Sequence, residues 1–453
     1  MRYLHDIVAI SLLSFSPAYA SLNPSSLDIH NVQQLTEAAC AAMKNLMSYF
    51  TPNPMLLVKT CADIDSIIFL LQKGTFDEAI TPWHESGMIW GLHFDYARWT
   101  GDTQYLDIVK QALVQQSNGA AHSFLDLGSL QQWNDDILWP SQRSTDTVFI
   151  PLGAAVAAAE RYGANATLPN YPDTTWIGLA DKTYNQAYQT DDKCGGGIYW
   201  YRHRPTARGT YKALITHSEF ISQGARNYMI NKDAGTLEKA KCMVDWVISS
   251  GLANPHTGVL MDGISTKDCA AFTTFQWTYN YGQWLGSLAW MHRATGDQKY
   301  LDMATPYFDY SLRSFAASNT SGIIAELCES TASCNRDQQG FKAIYVRNLV
   351  YIYRETNNGT MKRAIEKVID TSVHGMASRS CDRDWNCAGN WAANGPPIKN
   401  VRAQHVSTAL LVAAVGIHGT SGLEAGVVDH HAHLKTSKIK KLRKSSSKSS
   451  PST

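Results

Sequence analysis

Charge is scarce in this chain of 453 residues, and neither sign prevails. Charged residues make up 17%, with 40 Lys+Arg against 39 Asp+Glu for a formal net charge of +1. Seven of the basic residues crowd into positions 435–453, so the body of the chain carries 33 against 39 and is mildly acidic. A general nucleic-acid binder needs a basic surface on the folded domain itself, and that class is excluded. Beyond the N-terminal segment, no stretch approaches the roughly 18–20 uninterrupted apolar residues of a membrane helix, so no transmembrane segment is expected. The last residues lack the hydrophobic run of a lipid-anchor signal. The one glycine run lacks the strand-then-helix setting and the Lys-Ser/Thr of a phosphate loop, which excludes that mode of nucleotide binding. With 44% hydrophobic residues, the low charge also excludes disorder for the body of the chain.

What is present begins with an export signal. Arg2 is followed by an apolar run from Ile7 to Phe15 and by Ala18-Tyr19-Ala20, so residues 1–20 read as a signal peptide and the mature chain as secreted, extracellular or in a cell wall. Nine cysteines suit an oxidising compartment. Cys328/Cys334 and Cys381/Cys387 are each close enough to close a small loop, and both pairs are expected to bridge. The odd total leaves at least one thiol free or paired outside the chain. Sequons at Asn165, Asn319 and Asn358 are expected on surface loops, glycosylated if the host does so. Residues 426–453 form a Lys/Ser-rich tail that cannot order itself. Its His430, His431 and His433 read as chance residues of a solvated tail rather than a metal site, and its basic run offers an attachment to an anionic wall polymer.

Between signal and tail, residues 21–425 read as one helical domain. Met88, Leu92, Tyr96 and Trp99 step by four, four and three, and Tyr105, Ile108 and Ala112 by three and four, so both segments are predicted helices. Thr100-Gly101-Asp102 lies between them, and the construction returns as Thr295-Gly296-Asp297. Glycine ends one helix and aspartate starts the next, so each copy marks the elbow of a helical hairpin. Asn231–Gly235 and Arg161-Tyr162-Gly163 are weaker echoes. About 400 residues of such units accommodate on the order of twelve helices. A closed ring of paired helices is favoured over an open solenoid, because the irregular loops near 115–150, 190–215 and 380–400 are unlike uniform repeats. Both elbows should then lie on one face of the ring, and a parallel β-sheet core would exclude this fold.

The stretch Gln131-Gln132-Trp133-Asn134-Asp135-Asp136-Ile137-Leu138-Trp139 carries the most suggestive chemistry. Adjacent carboxyls flanked by tryptophans suit a retaining glycosidase, which works with carboxyls roughly 5 to 5.5 Å apart. One must stay ionised as nucleophile while the other keeps a proton. Helix capping by Asn134, with both aspartates favoured by the helix dipole, explains the same residues structurally. Cys194-Gly195-Gly196-Gly197-Ile198-Tyr199-Trp200 permits close backbone approach beside an aromatic pair. Trp83-His84-Glu85-Ser86-Gly87 and Trp277-Thr278-Tyr279-Asn280-Tyr281-Gly282 each set polar and aromatic groups at a helix head, as substrate contacts or as caps and core.

Six of these features occur in the order seen in glycoside hydrolase family 76, the α-1,6-mannanases, and the chain resembles especially its fungal cell-wall branch. Trp83…Glu85-Ser86-Gly87 resembles the family's Trp-Glu-Ala-Gly helix start, Asn134-Asp135-Asp136 its Asn-Asp-Asp, and the glycine run its Cys-Gly-Gly-Gly-Leu-Arg-Trp. Thr278–Gly282 is similar to Thr-Tyr-Asn-Gln-Gly, Asp337…Phe341-Lys342…Arg347 to Asp…Phe-Lys-Gly…Arg, and Gln404…Ser407…Ala409-Leu410 to Gln-Met-Ser-Ala-Leu. The resemblance implies an (α/α)6 barrel with no metal or organic cofactor, acting on α-mannan or a mannosylated glycan. It implies Asp135 as nucleophile and Asp136 as general acid/base. Trp83, Glu85, Trp133, Trp139, Gly196, Gly197, Trp200, Tyr279, Asn280, Asp337 and Lys342 are implied sugar contacts. Water as acceptor gives hydrolysis, and a second sugar gives transfer. A non-catalytic sugar-binding relative is the alternative.

The chain also departs from the family pattern. Pro140 follows the aspartates closely, so the Ala-rich helix is expected only at about 152–162. A register starting at Ser144-Thr145-Asp146 would put Thr145 in the nucleophile's place. Asp135 is favoured because it lies 34 positions after Gly101, near the family's spacing. Tyr199 stands where the family has arginine, and the usual Asn is not evident at Thr216 or His217.

Overall fold

The structure, a computed structural model, describes residues 22–50, 76, 81, 83–117, 134, 152–393 and 400–419, with the backbone alone for Trp83, His84 and Leu152. The expected signal segment, the basic tail with its three histidines, Trp133, Asp135, Asp136, Trp139 and the stretch from Pro140 to Asp146 lie outside the described residues.

Twelve α-helices are present among the described residues: α1 (Val32–Met47), α2 (Trp83–Thr100), α3 (Leu106–Gln116), α4 (Leu152–Tyr162), α5 (Trp176–Ala187), α6 (Leu214–Asn231), α7 (Ala234–Ser249), α8 (Thr278–Thr295), α9 (Lys299–Phe315), α10 (Phe341–Glu355), α11 (Gly359–Arg379) and α12 (Val401–His418). They alternate between two layers. The even-numbered helices pack in a closed circuit, α2 on α4 and so on through α12 back to α2. Their burial follows from that position: α12 is buried at every residue from Val401 to Ile417, and α6 from Leu214 to Asn227. A helix enclosed on every side has no solvent stripe to keep polar. The odd-numbered helices form the outer layer and show the one-sided pattern instead. In α9 the buried residues Tyr300, Leu301, Ala304, Tyr307, Phe308, Ser311 and Phe315 make a single stripe. The architecture is an (α/α)6 barrel.

Contacts between inner helices fix their direction. At the N-terminal ends, Glu85 of α2 pairs with Arg402 of α12. Toward the C-terminal ends, Glu160 of α4 is held by Arg98 of α2 and Arg226 of α6, Glu355 of α10 by Arg293 of α8, and the Gly416 carbonyl of α12 by Arg354 of α10. Gln283 of α8 bonds Ser222 of α6 midway along both. The six inner helices therefore run parallel, with all their N-termini on one rim, here the loop rim. Their C-termini meet the outer helices on the opposite, elbow rim.

The two Thr-Gly-Asp elbows are built alike and share that rim. In each, the threonine hydroxyl donates back to the helix (Thr100 to the Tyr96 carbonyl, Thr295 to that of Met291) and accepts from the aspartate N–H. Gly101 and Gly296 take φ of 78° and 70°, and Asp102 and Asp297 each accept from the N–H two residues on. The weaker echoes also end inner helices, with Gly163 at φ 104° after α4 and Lys232 at φ 61° after α6. Among the described residues, strands are confined to the hairpin β1 (Thr167–Leu168) and β2 (Tyr171–Thr175), and to an antiparallel sheet of β3 (Tyr211–Ala213), β4 (Gly263–Ser265) and β5 (Asp268–Thr273) beside the loop rim.

Both expected disulfides are present, with Cα atoms 4.9 Å apart for Cys328–Cys334 and 4.0 Å for Cys381–Cys387. A third, Cys194–Cys269, joins the glycine run to β5 across 75 positions. Cys40 and Cys242 are free thiols. Asn165, Asn319 and Asn358 are all exposed, and Asn358 caps α11 through its side-chain oxygen, leaving its amide nitrogen open to modification.

The closest inner-helix approach joins α8 to α10. A Cβ at Gly286 would fall 1.8 Å from Asn348 Oδ1, and one at Gly282 2.5 Å from the Tyr345 Cα. Gly282→Ala is therefore expected to destabilise the fold by about 1–3 kcal/mol through overpacking against backbone. Gly340→Ala, which meets nothing within 4 Å, should stay within about 0.5 kcal/mol. Urea unfolding of the two variants checks the contrast.

Candidate functional site at the loop rim

The glycine run wraps around an indole. Cys194, Gly195, Gly196 and Gly197 have φ of 55°, 73°, 116° and 82°. A Cβ at Gly197 would lie 2.5 Å from the Trp246 ring, whose Nε1 donates to the Cys194 carbonyl (3.0 Å). Lys212, buried beneath, gathers the turn by donating to the carbonyls of Lys193 (2.8 Å) and Gly196 and to Asp191 (3.0 Å). His217 completes it: Nδ1 donates to the Ala213 carbonyl (2.6 Å), so Nε2 accepts from the Ile198 N–H (2.7 Å). Burial holds this imidazole neutral, with its pKa lowered to about 3. Tyr199 is clamped between the Arg204 guanidinium, 3.5 Å from its ring centroid, and the Lys212 ammonium, and its hydroxyl donates to Asp191. Trp200 packs edge-on against Tyr211. The close approach that the glycines permit is made, for Gly196 and Gly197, to the protein's own tryptophan.

Asn134 is bound to the segment leaving that turn. Its N–H donates to the Trp200 carbonyl and its Nδ2 to that of Tyr199, both at 2.7 Å, while Oδ1 accepts from Arg202 (3.0 Å). Asn134 is fully buried. The residue immediately before Asp135 is thus fastened to the loop rim at three points, and both ends of its side-chain amide are committed there.

Three groups of carboxyls surround the inner-helix N-termini. Glu85, in the first turn of α2, accepts from Arg402 Nε at 2.5 Å. Burial pushes its carboxyl up to about 8 against the opposing pull of Arg402, with Asp337 nearby adding to the rise. Glu85 Oε2 and Arg402 Nη2 are buried without a hydrogen-bond partner. Asp262, between β4 and the end of α7, accepts from Tyr211 (2.9 Å), Asn280 (3.0 Å) and Tyr279 (3.2 Å). Glu326 accepts from the Thr278 N–H (2.8 Å) and hydroxyl, capping α8 from a neighbouring loop, and burial raises it to about 8. Lys342, 1% exposed, bonds Glu329 and the Gly389 carbonyl, both at 2.7 Å, and lies over Trp391. Its polar contacts are therefore made within the chain.

An aromatic strip leads from solvent to Asp262. Phe275, 65% exposed, meets Trp277 at 6.0 Å; Trp277 meets Phe341 at 5.8 Å; and Phe341 stacks on Tyr279 at 4.2 Å, whose hydroxyl reaches Asp262. Deeper along the ring axis lies a cavity of about 90 Å³ lined by Asp95, Glu219, Gln223, Arg226, Arg347 and Asn348 among others. Arg347 is held there by Asp95 (2.6 Å) and the Met88 carbonyl. The rim thus gathers Glu85, Gly196, Gly197, Trp200, Tyr279, Asn280, Asp337 and Lys342 from four chain segments, and Trp83 opens α2 beside them. Asp262, Arg402 and Glu326 were missed from sequence, because none belongs to a recognisable motif and only the fold brings them to the rim.

A ring of parallel helices whose one polar, aromatic rim collects carboxyls is that of an (α/α)6 carbohydrate-active enzyme. The chain belongs to glycosyl hydrolase family 76, which matches residues 34–417, and is accordingly a glycoside hydrolase or transglycosidase. It is similar to mannan endo-1,6-alpha-mannosidase DCW1 of Eremothecium gossypii, with 28% identity over 393 residues covering 83% of this chain and 78% of that one. The Saccharomyces cerevisiae protein of the same name is 28% identical over 395 residues, covering 84% and 79%. Among solved structures, Dfg5 from Chaetomium thermophilum in complex with glucosamine superimposes with a TM-score of 0.68 at 21% identity, covering 90% of this chain and 99% of that one. An α-1,6-mannanase of Salegentibacter sp. HEL1_6, inactive through replacement of two consecutive aspartates by alanine and bound to α-1,6-mannotetrose, gives 0.65 at 18% identity, covering 84% and 99%.

Buried groups on the rim and in the ring set opposing pH dependences. Glu85 and Glu326, raised from 4.5 to about 8, contribute stability that is complete below their unfolded value and lost as pH rises toward 8. His217 and His405, lowered by burial from 6.5 to about 3, and His93, lowered to about 4, contribute stability present above 6.5 and lost as pH falls. Glu160, held at about 2 by Arg226 and Arg98 against burial, adds to the acid-side loss. Thermal unfolding across pH should show a maximum near about pH 6, with Tm falling by several degrees toward pH 4 and pH 9. A profile rising monotonically to pH 9 would contradict these assignments.

Proposed function

We propose that the chain is a secreted, retaining, endo-acting α-1,6-mannosidase on mannan or mannose-containing wall glycans. Asp135 attacks the anomeric carbon while Asp136 protonates the departing oxygen, then activates water or an acceptor sugar hydroxyl. The observation that carries this reading is the fastening of Asn134, the residue before Asp135, to the Tyr199–Arg202 segment at the polar rim. The inactivity of the similar mannanase when two consecutive aspartates are replaced, and the mannotetrose bound to it, support a catalytic part for the Asp-Asp pair and an α-1,6-mannan substrate. Among the described residues, no helix is long and apolar enough to cross a membrane. The basic tail would hold the exported enzyme to an anionic wall polymer, and salt extraction with and without residues 435–453 tests that association.

The rim residues take complementary parts. Glu85 Oε2 and Arg402 Nη2 supply a buried acceptor-or-donor pair for a sugar hydroxyl, and Tyr279 and Asn280, tied to Asp262, a second polar edge. The strip from Phe275 to Phe341 offers ring faces to sugars farther along the chain.

Two measurements test the proposal. With linear α-1,6-mannan oligosaccharides, Asp135→Asn should lower turnover at least about a hundredfold while leaving binding intact, and Asp136→Asn should recover best on substrates whose leaving group needs little protonation. Wild-type rate and product anomer in both variants would refute these roles, and products resolved by anomer and length distinguish hydrolysis from transfer. Phe275→Ala and Trp277→Ala should raise KM several-fold on long mannan and leave trisaccharide cleavage nearly unchanged. An equal loss on both lengths would remove the strip from the substrate path.

A further inference from the structure

Three metal-ligand side chains from three segments meet near the elbow rim, away from the proposed catalytic site. His418 is the last residue of α12, Asp370 lies on α11, and His30 directly precedes Asn31, the N-cap of α1. His418 Nε2 lies 2.7 Å from Asp370 Oδ1, and the His30 ring stands edge-on to that of His418 at 5.6 Å and 88°. One ligand atom from each residue lies within 4.8 Å of the others. A His–Asp ion pair accounts for two of these groups but not for the third. His30 is exposed, and among the described residues its imidazole nitrogens make no hydrogen bond. A second imidazole beside a carboxylate that already has a partner adds nothing to an ion pair, yet it is what a metal ion requires.

We infer that His30, Asp370 and His418 form a binding site for a divalent transition metal of the zinc class, which ties the N-terminal arm to α11 and α12. Two imidazoles and one carboxylate are a donor set that selects zinc and its neighbours over magnesium or calcium, whose sites are built of oxygen. Bonds of about 2.0–2.2 Å to a tetrahedral centre separate ligand atoms by roughly 3.3–3.5 Å, so His418 and Asp370 part slightly, His30 swings inward, and water takes the fourth position. The carbonyl end of α12 favours a cation there, and the Glu366 carboxylate, one turn before Asp370 on α11, adds to the negative field. The other end of the arm is already fastened, by Trp385 Nε1 donating to the Leu22 carbonyl at 2.9 Å. The metal would make the second attachment.

To exclude adventitious zinc binding at the three tail histidines, the test uses the full mature chain carrying His430→Ser, His431→Ser and His433→Ser. Titration with ZnCl2 at about pH 8, where imidazoles are largely deprotonated, should show saturable binding of one ion per chain and a rise in Tm of several degrees. MgCl2 should produce neither. Adding His30→Gln should weaken zinc binding at least tenfold without changing the metal-free Tm, since that imidazole makes no hydrogen bond. Asp370→Asn should weaken it at least as much. No saturable zinc binding, an equal response to magnesium, or unchanged affinity in His30→Gln would each overturn the site.

Discussion

Six inner helices running the same way set six macrodipoles side by side, and the remaining architecture answers that constraint. Aligned dipoles repel unless their ends are compensated, each compensating charge contributing about 0.3–1 kcal/mol. The last turns of α2, α4, α8, α10 and α12 all carry arginine or histidine. At the opposite ends stand Glu85 in α2, Glu326 capping α8 and Asn400 capping α12. The placing of cationic side chains at the last turns and of hydrogen-bonding caps at the first is thus a property of helix direction before it is a property of any site. Carboxyls drawn to the N-terminal rim are then buried there, and burial is what raises Glu85 and Glu326.

The fold was largely legible in the sequence because its repeating unit is local. Thr100-Gly101-Asp102 and Thr295-Gly296-Asp297 carry their turn geometry within a few residues, and the same threonine and aspartate hydrogen bonds recur in both. The helix expected at about 152–162 is α4, and the short Cys328–Cys334 and Cys381–Cys387 loops announced their own bridges. Cys194–Cys269 did not, since a separation of 75 positions carries no local signal and the pair meets only once β5 folds back beside β4. Parallel direction, by contrast, had to come from contacts such as Glu85–Arg402 between distant helices.

Individual side chains were less legible than segments, and the glycine run explains why. A row of glycines permits close approach, but sequence does not say to what. Here Trp246 of α7 fills the space beside Gly197, and Lys212 and His217 take up the loop's backbone groups. Lys342 is a similar case, with its ammonium spent on Glu329, Gly389 and Trp391. Motif residues at a rim thus include groups that hold the loops in shape as well as groups open to a ligand. Arg402 and Asp262 belong to no pattern of their own, because each is defined by a partner far away in sequence.

Among the described residues, every disulfide cysteine lies in a loop between an outer helix and the inner helix that follows it, Cys194–Cys269 joining two such loops, and the elbows contain none. Covalent reinforcement is therefore concentrated in the loops, while the helical ring relies on packing. The Cys328–Cys334 and Cys381–Cys387 loops are each fastened within themselves, and Cys194–Cys269 with the β3–β4–β5 sheet couples the loops before α6 and α8. Such a division of labour favours evolutionary change: the Cys328–Cys334 and Cys381–Cys387 loops can be lengthened, shortened or exchanged singly, and the two joined by Cys194–Cys269 only together. The barrel itself is shared with the Salegentibacter and Chaetomium structures at only 18–21% identity, so a ring held by packing tolerates wide change in sequence.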